Sequence, residues 1–167
     1  MSFLALNLLL ALVWVFLLAE FTFAGLLMGL AVGFVVIALG RPVLGSHRFV
    51  AGVFGTLRLL GGFALELFLA NLHLAQDALR PKPPFHPAFL AFDARDLPLL
   101  ETVFLGNLVS LTPGTVTVDM DEEGEFLYIH ALYAADPEEV RAGVRRLANL
   151  IHLARGEPPV RPREKKP

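Results

Sequence analysis

Hydrophobic positions fill the chain from Ser2 to Gly40 almost without a break, and the only ionisable side chain in that run is Glu20. A helix rising 1.5 Å per residue would carry about 39 such residues through ~58 Å, roughly twice the ~30 Å hydrocarbon core of a bilayer. The run therefore folds back on itself. A carboxylate is costly in the middle of hydrocarbon and at ease in water, so Glu20 and Thr22 mark the turn. The pattern predicts a membrane α-helical hairpin of two short spans, residues 3–19 and 21–39.

In the second span Gly25, Gly29 and Gly33 recur every four residues and fall along one side of the helix. Missing side chains there let another backbone approach closely, so these three form a candidate helix-packing face, with ordinary lipid-facing composition as the alternative. On the first span Asn7 reads as a polar group near the helix end and Trp14 as bulk. Arg41, His47 and Arg48 follow the second span at once, with Pro42 and Gly45 breaking the helix. The positive-inside rule makes that loop cytoplasmic, which puts the Glu20 tip outside and the amino terminus inside.

Residues 49–79 show a different periodicity. At 100° per residue Arg48, Gly52, Gly55, Gly62, Glu66, His73, Asp77 and Arg80 gather on one side, and Leu57, Leu60, Ala64, Phe68, Leu72, Ala75 and Leu79 on the other. This is an amphipathic helix. It either lies on the cytoplasmic membrane surface with its apolar face down, or forms a third span whose glycine-rich polar stripe meets a protein partner. Glu66, with Arg58 on the same helix, is a membrane-proximal ionisable pair, as Glu20 is a lone one. Two turns separate Glu66 from Arg58, so a solvated polar face is the simpler reading than a proton-carrying carboxylate.

Residues 1–80 thus form a membrane domain, and a proline-rich linker at 81–87 ends it, since proline removes backbone donors and holds the chain extended. A small α+β domain is expected over 88–155, in the order strand, helix, strand, strand, helix and in two layers. Its strands are Ala88–Asp93, Thr115–Met120, which alternates cleanly, and Phe126–Leu132. The first helix covers Leu97–Leu111, capped by Asp96 and packing Leu100, Val103, Phe104 and Leu108. Asp136-Pro137-Glu138-Glu139 starts the last helix, whose apolar face is Val140, Val144, Leu147, Leu150 and Ile151. Residues 156–167 are a disordered basic tail.

Composition sharpens this division. The 167 residues are 55% hydrophobic and 18% charged, with a mean hydropathy of +0.60, too apolar for a soluble domain of this size. None of the 14 basic residues precedes Arg41, and 11 lie from Arg80 onward. A net charge of -2 and no aromatic-interleaved basic patch leave nothing for nucleic acid to bind. The absence of cysteine excludes disulfides, thiolate catalysis and cysteine metal sites. The start lacks a basic n-region and its apolar run outlasts one h-region, which speaks against a cleaved signal peptide.

Candidate chemistry is sparse. Thr112-Pro113-Gly114-Thr115 passes from helix to strand. A phosphate cradle would want more glycines and a helix after the loop, so the segment reads as a turn. Asp119, Asp121, Glu123 and Gly124 imitate the opening of a calcium loop, but His130 stands at the twelfth position, where a bidentate glutamate belongs. His130 otherwise reads as a structural histidine in a strand. No nucleophile-and-base pattern is present, so no enzyme, cofactor or metal site is expected.

Ser110-Leu-Thr-Pro-Gly-Thr115 running into Val116-Thr-Val-Asp119, followed by Leu127-Tyr-Ile-His-Ala-Leu132, resembles the pattern of the E subunit of Mrp-type (Mnh, Pha) multisubunit cation/proton antiporters. The likeness covers nearly the whole chain. It departs at Gly106-Asn-Leu-Val-Ser, where the family more often opens Ala-Asn-Ser, and at Tyr133, where an acid is common. The resemblance implies a non-pumping accessory or assembly subunit of a complex in the cell (inner) membrane that exchanges Na+ or K+ outward for protons inward. It implies polytopic partner subunits, contact with lipid and a cytoplasmic carboxyl-terminal domain. Thr112, Pro113, Gly114, Thr115 and His130 would then build an interface or a rigid corner. Two other functions remain open at this point: a free-standing membrane adaptor or sensor that recruits a cytoplasmic partner, and an ion-conducting oligomer using Glu66.

Overall fold

The computed structural model describes residues 2–81 and 85–159. Helix α1 (Phe3–Leu18) ends where Ala19 turns left-handed (φ 53°), and α2 (Phe23–Leu39) begins behind Thr22, whose hydroxyl accepts the Gly25 N–H at 3.0 Å. The two form a hairpin with Glu20 exposed at its tip. At 1.5 Å per residue each is only about 25 Å long, thinner than a typical hydrocarbon core.

Arg41–Leu44, expected to be a break, is instead a one-turn helix, α3. Pro42 sits in its first turn, where a missing N–H costs nothing, and the chain turns only at Gly45 (φ 68°). Buried Ser46 donates to the Ile37 carbonyl at 3.0 Å, which fixes the exit of the hairpin against the start of α4 (His47–Ala78).

The carboxyl half runs β1 (Ala88–Asp93), α5 (Leu99–Leu111), β2 (Thr115–Met120), β3 (Phe126–Ala131) and α6 (Pro137–Ala154). The sheet order is β1-β3-β2, antiparallel throughout, with Ala88 and Thr115 both opposite Ala131. The clean alternation expected in β2 is interrupted, because the register shifts between Thr117 and Asp119. One sheet face, carrying Leu90, Phe92, Leu127 and Ile129, is buried with Leu105 and Val109 of α5 and Leu147 and Ile151 of α6.

Three expectations for this half need correction. Helix α5 starts behind Pro98 rather than Asp96, since a residue preceding proline is driven out of the helical region. Its buried face is Glu101, Thr102, Leu105, Gly106, Leu108 and Val109, while Leu100 is 83% exposed and Val103 and Phe104 are also exposed. Apolar residues surround this helix on all sides, so periodicity could not choose a face. The core is also not closed by two layers: Leu59 of α4 belongs to it, with Phe63 packed against it, so α4 forms a further layer over α6. The line drawn at residue 80 therefore cuts through a packed seam.

Of the proline-rich linker, residues 82–84 lie outside the described residues, and His86 is paired with Tyr133 beside the sheet. Of the expected disordered tail, residues 160–167 lie outside them, and Gly156 and Glu157 are packed on the start of α4.

Candidate functional site

The glycine face of α2 is occupied from within the chain. Gly25, Gly29 and Gly33 are all buried, Gly29 and Gly33 against Ala11 and Asn7 of α1 and Gly25 against Glu20 and Thr22 of the turn. A Cβ at Gly29 would stand 2.8 Å from the Ala11 carbonyl oxygen, and one at Gly33 would strike the Asn7 side-chain oxygen. Close approach of the two backbones is what the missing side chains permit. Asn7, near the start of α1, is buried and part of the hairpin seam.

The polar stripe of α4 likewise meets the chain itself. Helix α6 runs antiparallel along it, setting Gly52 against Ala154, Gly55 against Leu153, Gly62 against Leu150 and Glu66 near Arg146. A Cβ at Gly55 would overlap the Leu153 carbonyl. Glu66 lies 3.8 Å from the Arg146 guanidinium, so its partner is on α6 rather than Arg58, which is exposed. On the opposite side Leu57, Leu60, Phe68, Leu72 and Leu79 are all exposed.

At the helix-to-strand corner the hydroxyls are spent on holding α5 to β2. Thr112 Oγ1 donates to the Leu108 carbonyl at 3.1 Å, and Thr115 Oγ1 to that of Val109 at 2.7 Å. Ser110 and Thr117 hydroxyls both reach the Gly106 carbonyl, and the Thr117 N–H donates to Ser110 Oγ at 3.0 Å. Gly114 takes φ 90°, which favours glycine, and its carbonyl accepts the Leu132 N–H at 2.7 Å. Pro113 and Tyr133 face His73 and Asp77 of α4, and Arg80 just beyond it, across an open cavity. Burial, and the nearby Asp77 carboxylate, push the Tyr133 hydroxyl pKa up. His130 stands in the sheet face away from the core, its ring 4.5 Å from that of Phe89, and its Nδ1 has no hydrogen-bond partner among the described residues.

A further cluster was invisible in the sequence pattern. Buried Glu101 is held by the Arg155 guanidinium and faces His152, while Arg48 of α4 pairs with Glu157 at 2.5 Å. The carboxylate of Glu101 holds the Arg155 pKa above its ordinary value. Toward the other end of α6, the Asp93 pKa is lowered by the hydrogen bond from the Arg95 side chain. A lone acid, Glu101, inside the otherwise uncharged α5 was the one signal for the cluster.

The family model described as Na+/H+ ion antiporter subunit (MNHE) matches residues 7–151. The chain is 30% identical over 152 residues to the Na+/H+ antiporter E1 subunit of Staphylococcus haemolyticus, covering 91% of this chain and 96% of that protein. It is also 30% identical over 135 residues to the Na+/H+ antiporter E subunit of Alkalihalophilus pseudofirmus, covering 81% and 85%. Among solved structures, a chain of the Mrp complex from Dietzia sp. DQ12-45-1b is 30% identical, with a TM-score of 0.45 over 55% of this chain and 87% of that one.

Proposed function

We infer the function from one premise: the chain belongs to the family of Na+/H+ antiporter E subunits. It is a subunit of a multisubunit Na+/H+ antiporter, and family membership favours this over a free-standing adaptor. Within that complex it serves as an assembly and support component that does not itself carry ions. A proton path needs protonatable groups at membrane depth, and the hairpin offers one ionisable side chain, Glu20, at its exposed tip. Its glycine seam is closed by its own first helix, which leaves no room for a pore between the two.

By length and hydropathy α4 is the one described helix able to cross a bilayer, α1 and α2 being shorter. The observation that carries the contrary reading is α6 lying along it. A spanning α4 would draw Arg146, Arg155, Glu101 and Glu157 toward hydrocarbon, where a single charge costs about 2.5–3.5 kcal/mol even on the mildest scale. Helix α4 therefore rests on the cytoplasmic surface of the cell membrane, with Leu57, Leu60, Phe68 and Leu72 in lipid and the α+β domain above it in the cytoplasm. The partners are the polytopic subunits of the complex and the bilayer; the Thr112–Thr115 corner and His130 serve as a rigid corner beside those partners.

The test is a deletion of this subunit alone, with cation/proton exchange read in inverted vesicles. Exchange should be lost, return when the full chain is supplied, and be absent from liposomes holding the purified chain by itself. Ion movement by the lone chain would overturn the reading. Because the chain has no cysteine, single cysteines at Leu60, Leu72 and Glu122 report topology cleanly. The first two should be shielded by lipid and the third should react only from the cytoplasmic side; labelling of Glu122 from outside would refute the placement.

A further inference from the structure

We propose that Glu101, His152 and Glu157 form a binding site for one divalent transition-metal ion of the Zn2+ class, which pins the end of α6 to α5 and α4. The three residues come from separate places: the first turn of α5, the last turn of α6 and the chain just beyond it. Glu101 is 5% and His152 9% exposed. His152 Nδ1 lies 3.4 Å from Glu101 Oε2 and 3.5 Å from Glu157 Oε2, and one ligand atom from each residue falls within 4.8 Å of the others. With Zn–N and Zn–O bonds of about 2.0–2.2 Å, neighbouring ligand atoms of a tetrahedral site are about 3.3–3.6 Å apart. Two of the three edges already have that length.

A second observation points the same way. Glu101 Oε2 and His152 Nδ1 are fully buried and have no hydrogen-bond partner among the described residues, and they face one another. The outer oxygens are spoken for. Arg155 holds Oε1 of Glu101 and Arg48 holds Oε1 of Glu157 at 2.5 Å, which leaves both Oε2 atoms turned inward. Ligating carboxylates commonly have such outer partners, and they fix the orientation of the ligand atoms. The two guanidiniums also balance the two carboxylates, so a bound ion brings the only net charge. An imidazole in the set favours Zn2+ and its neighbours over Ca2+ or Mg2+, which prefer oxygen alone.

The test uses the full chain in detergent, tag removed and stripped with EDTA, titrated with Zn2+ by calorimetry, with bound metal counted by mass spectrometry. One Zn2+ per chain is expected, with a rise in melting temperature that EDTA reverses. His152→Ala and Glu157→Gln should each weaken binding by at least about tenfold. Glu157 lies beyond α6, so its variant keeps the helices and separates loss of a ligand from loss of the fold. Absence of Zn2+ uptake by the stripped parent would overturn the proposal. So would uptake unchanged in both variants, which would move the ion elsewhere.

Discussion

Replacing Gly55 by alanine adds one methyl group at the tightest point of the α4 and α6 seam. The new Cβ would overlap the backbone carbonyl of Leu153 and crowd the Ala154 amide at 2.6 Å. Neither is a flexible side-chain end that can turn aside, so the two helices must separate. Overpacking of this kind costs about 1–3 kcal/mol, and a gap of ~0.5–1 Å along the seam forfeits about a quarter to a half of each dispersion contact it opens. Against this, alanine in a helix interior gains about 0.5–1 kcal/mol over glycine. The net loss is about 1–2 kcal/mol, or a fall of several degrees in melting temperature at about 2–4 °C per kcal/mol. Gly61→Ala is the matched control: the same helix, the same chemical change, and nothing within 4 Å of the added carbon. It should be neutral or stabilising. Thermal melts of both variants in detergent, with hydrogen exchange of the α6 amides, make the comparison. If Gly55→Ala melted at or above Gly61→Ala with α6 equally protected, the seam would not exist as described.

Three more outcomes are expected. Gly29→Ile should split the hairpin, since even a Cβ there meets the Ala11 carbonyl oxygen at 2.8 Å; co-purification with the other subunits should drop, and full recovery would refute the seam. Thr115→Val should destabilise the corner by about 0.5–1.5 kcal/mol by removing the hydroxyl that bonds the Val109 and Thr112 carbonyls, the former keeping the Thr112 N–H, whereas Thr115→Ser should lose little; denaturant unfolding decides. Asp93 is depressed below its ordinary value near 3.8, so its pairing with Arg95 stabilises the fold above that pH and is lost as the pH falls through the lower folded value. Asp93→Asn should melt slightly lower than the parent above about pH 4 and converge with it below, the effect being small because the pair is partly exposed.

The strands Ala88–Asp93 and Thr115–Met120 could be read because turn residues bound short runs of β-favouring side chains. The start of α6 was equally plain: Asp136 accepts the Glu138 N–H at 2.9 Å and Pro137 occupies the first turn. Helix α5 was legible as a helix but not in its orientation, because LLETVFLGNLVSL has no polar side to exclude a face. The Thr112–Thr115 corner was found as a turn, while its wiring to Val109 and Leu108 depends on where α5 ends relative to β2. The cluster of Arg48, Glu101, His152 and Glu157 was legible only as a lone acid in α5, Glu101, since its members lie up to 109 positions apart.

Sequence alone determined that the first forty residues form two apolar helices folded back at Glu20, and that α4 has one polar and one apolar side. Both follow from local periodicity and transfer energies, which need no knowledge of neighbours. What covers each side was decided only in three dimensions. Gly29 and Gly33 of α2 receive α1, and Gly52, Gly55 and Gly62 of α4 receive α6 and the residues just after it, because close approach depends on which backbone arrives, and a pattern of missing side chains does not name it.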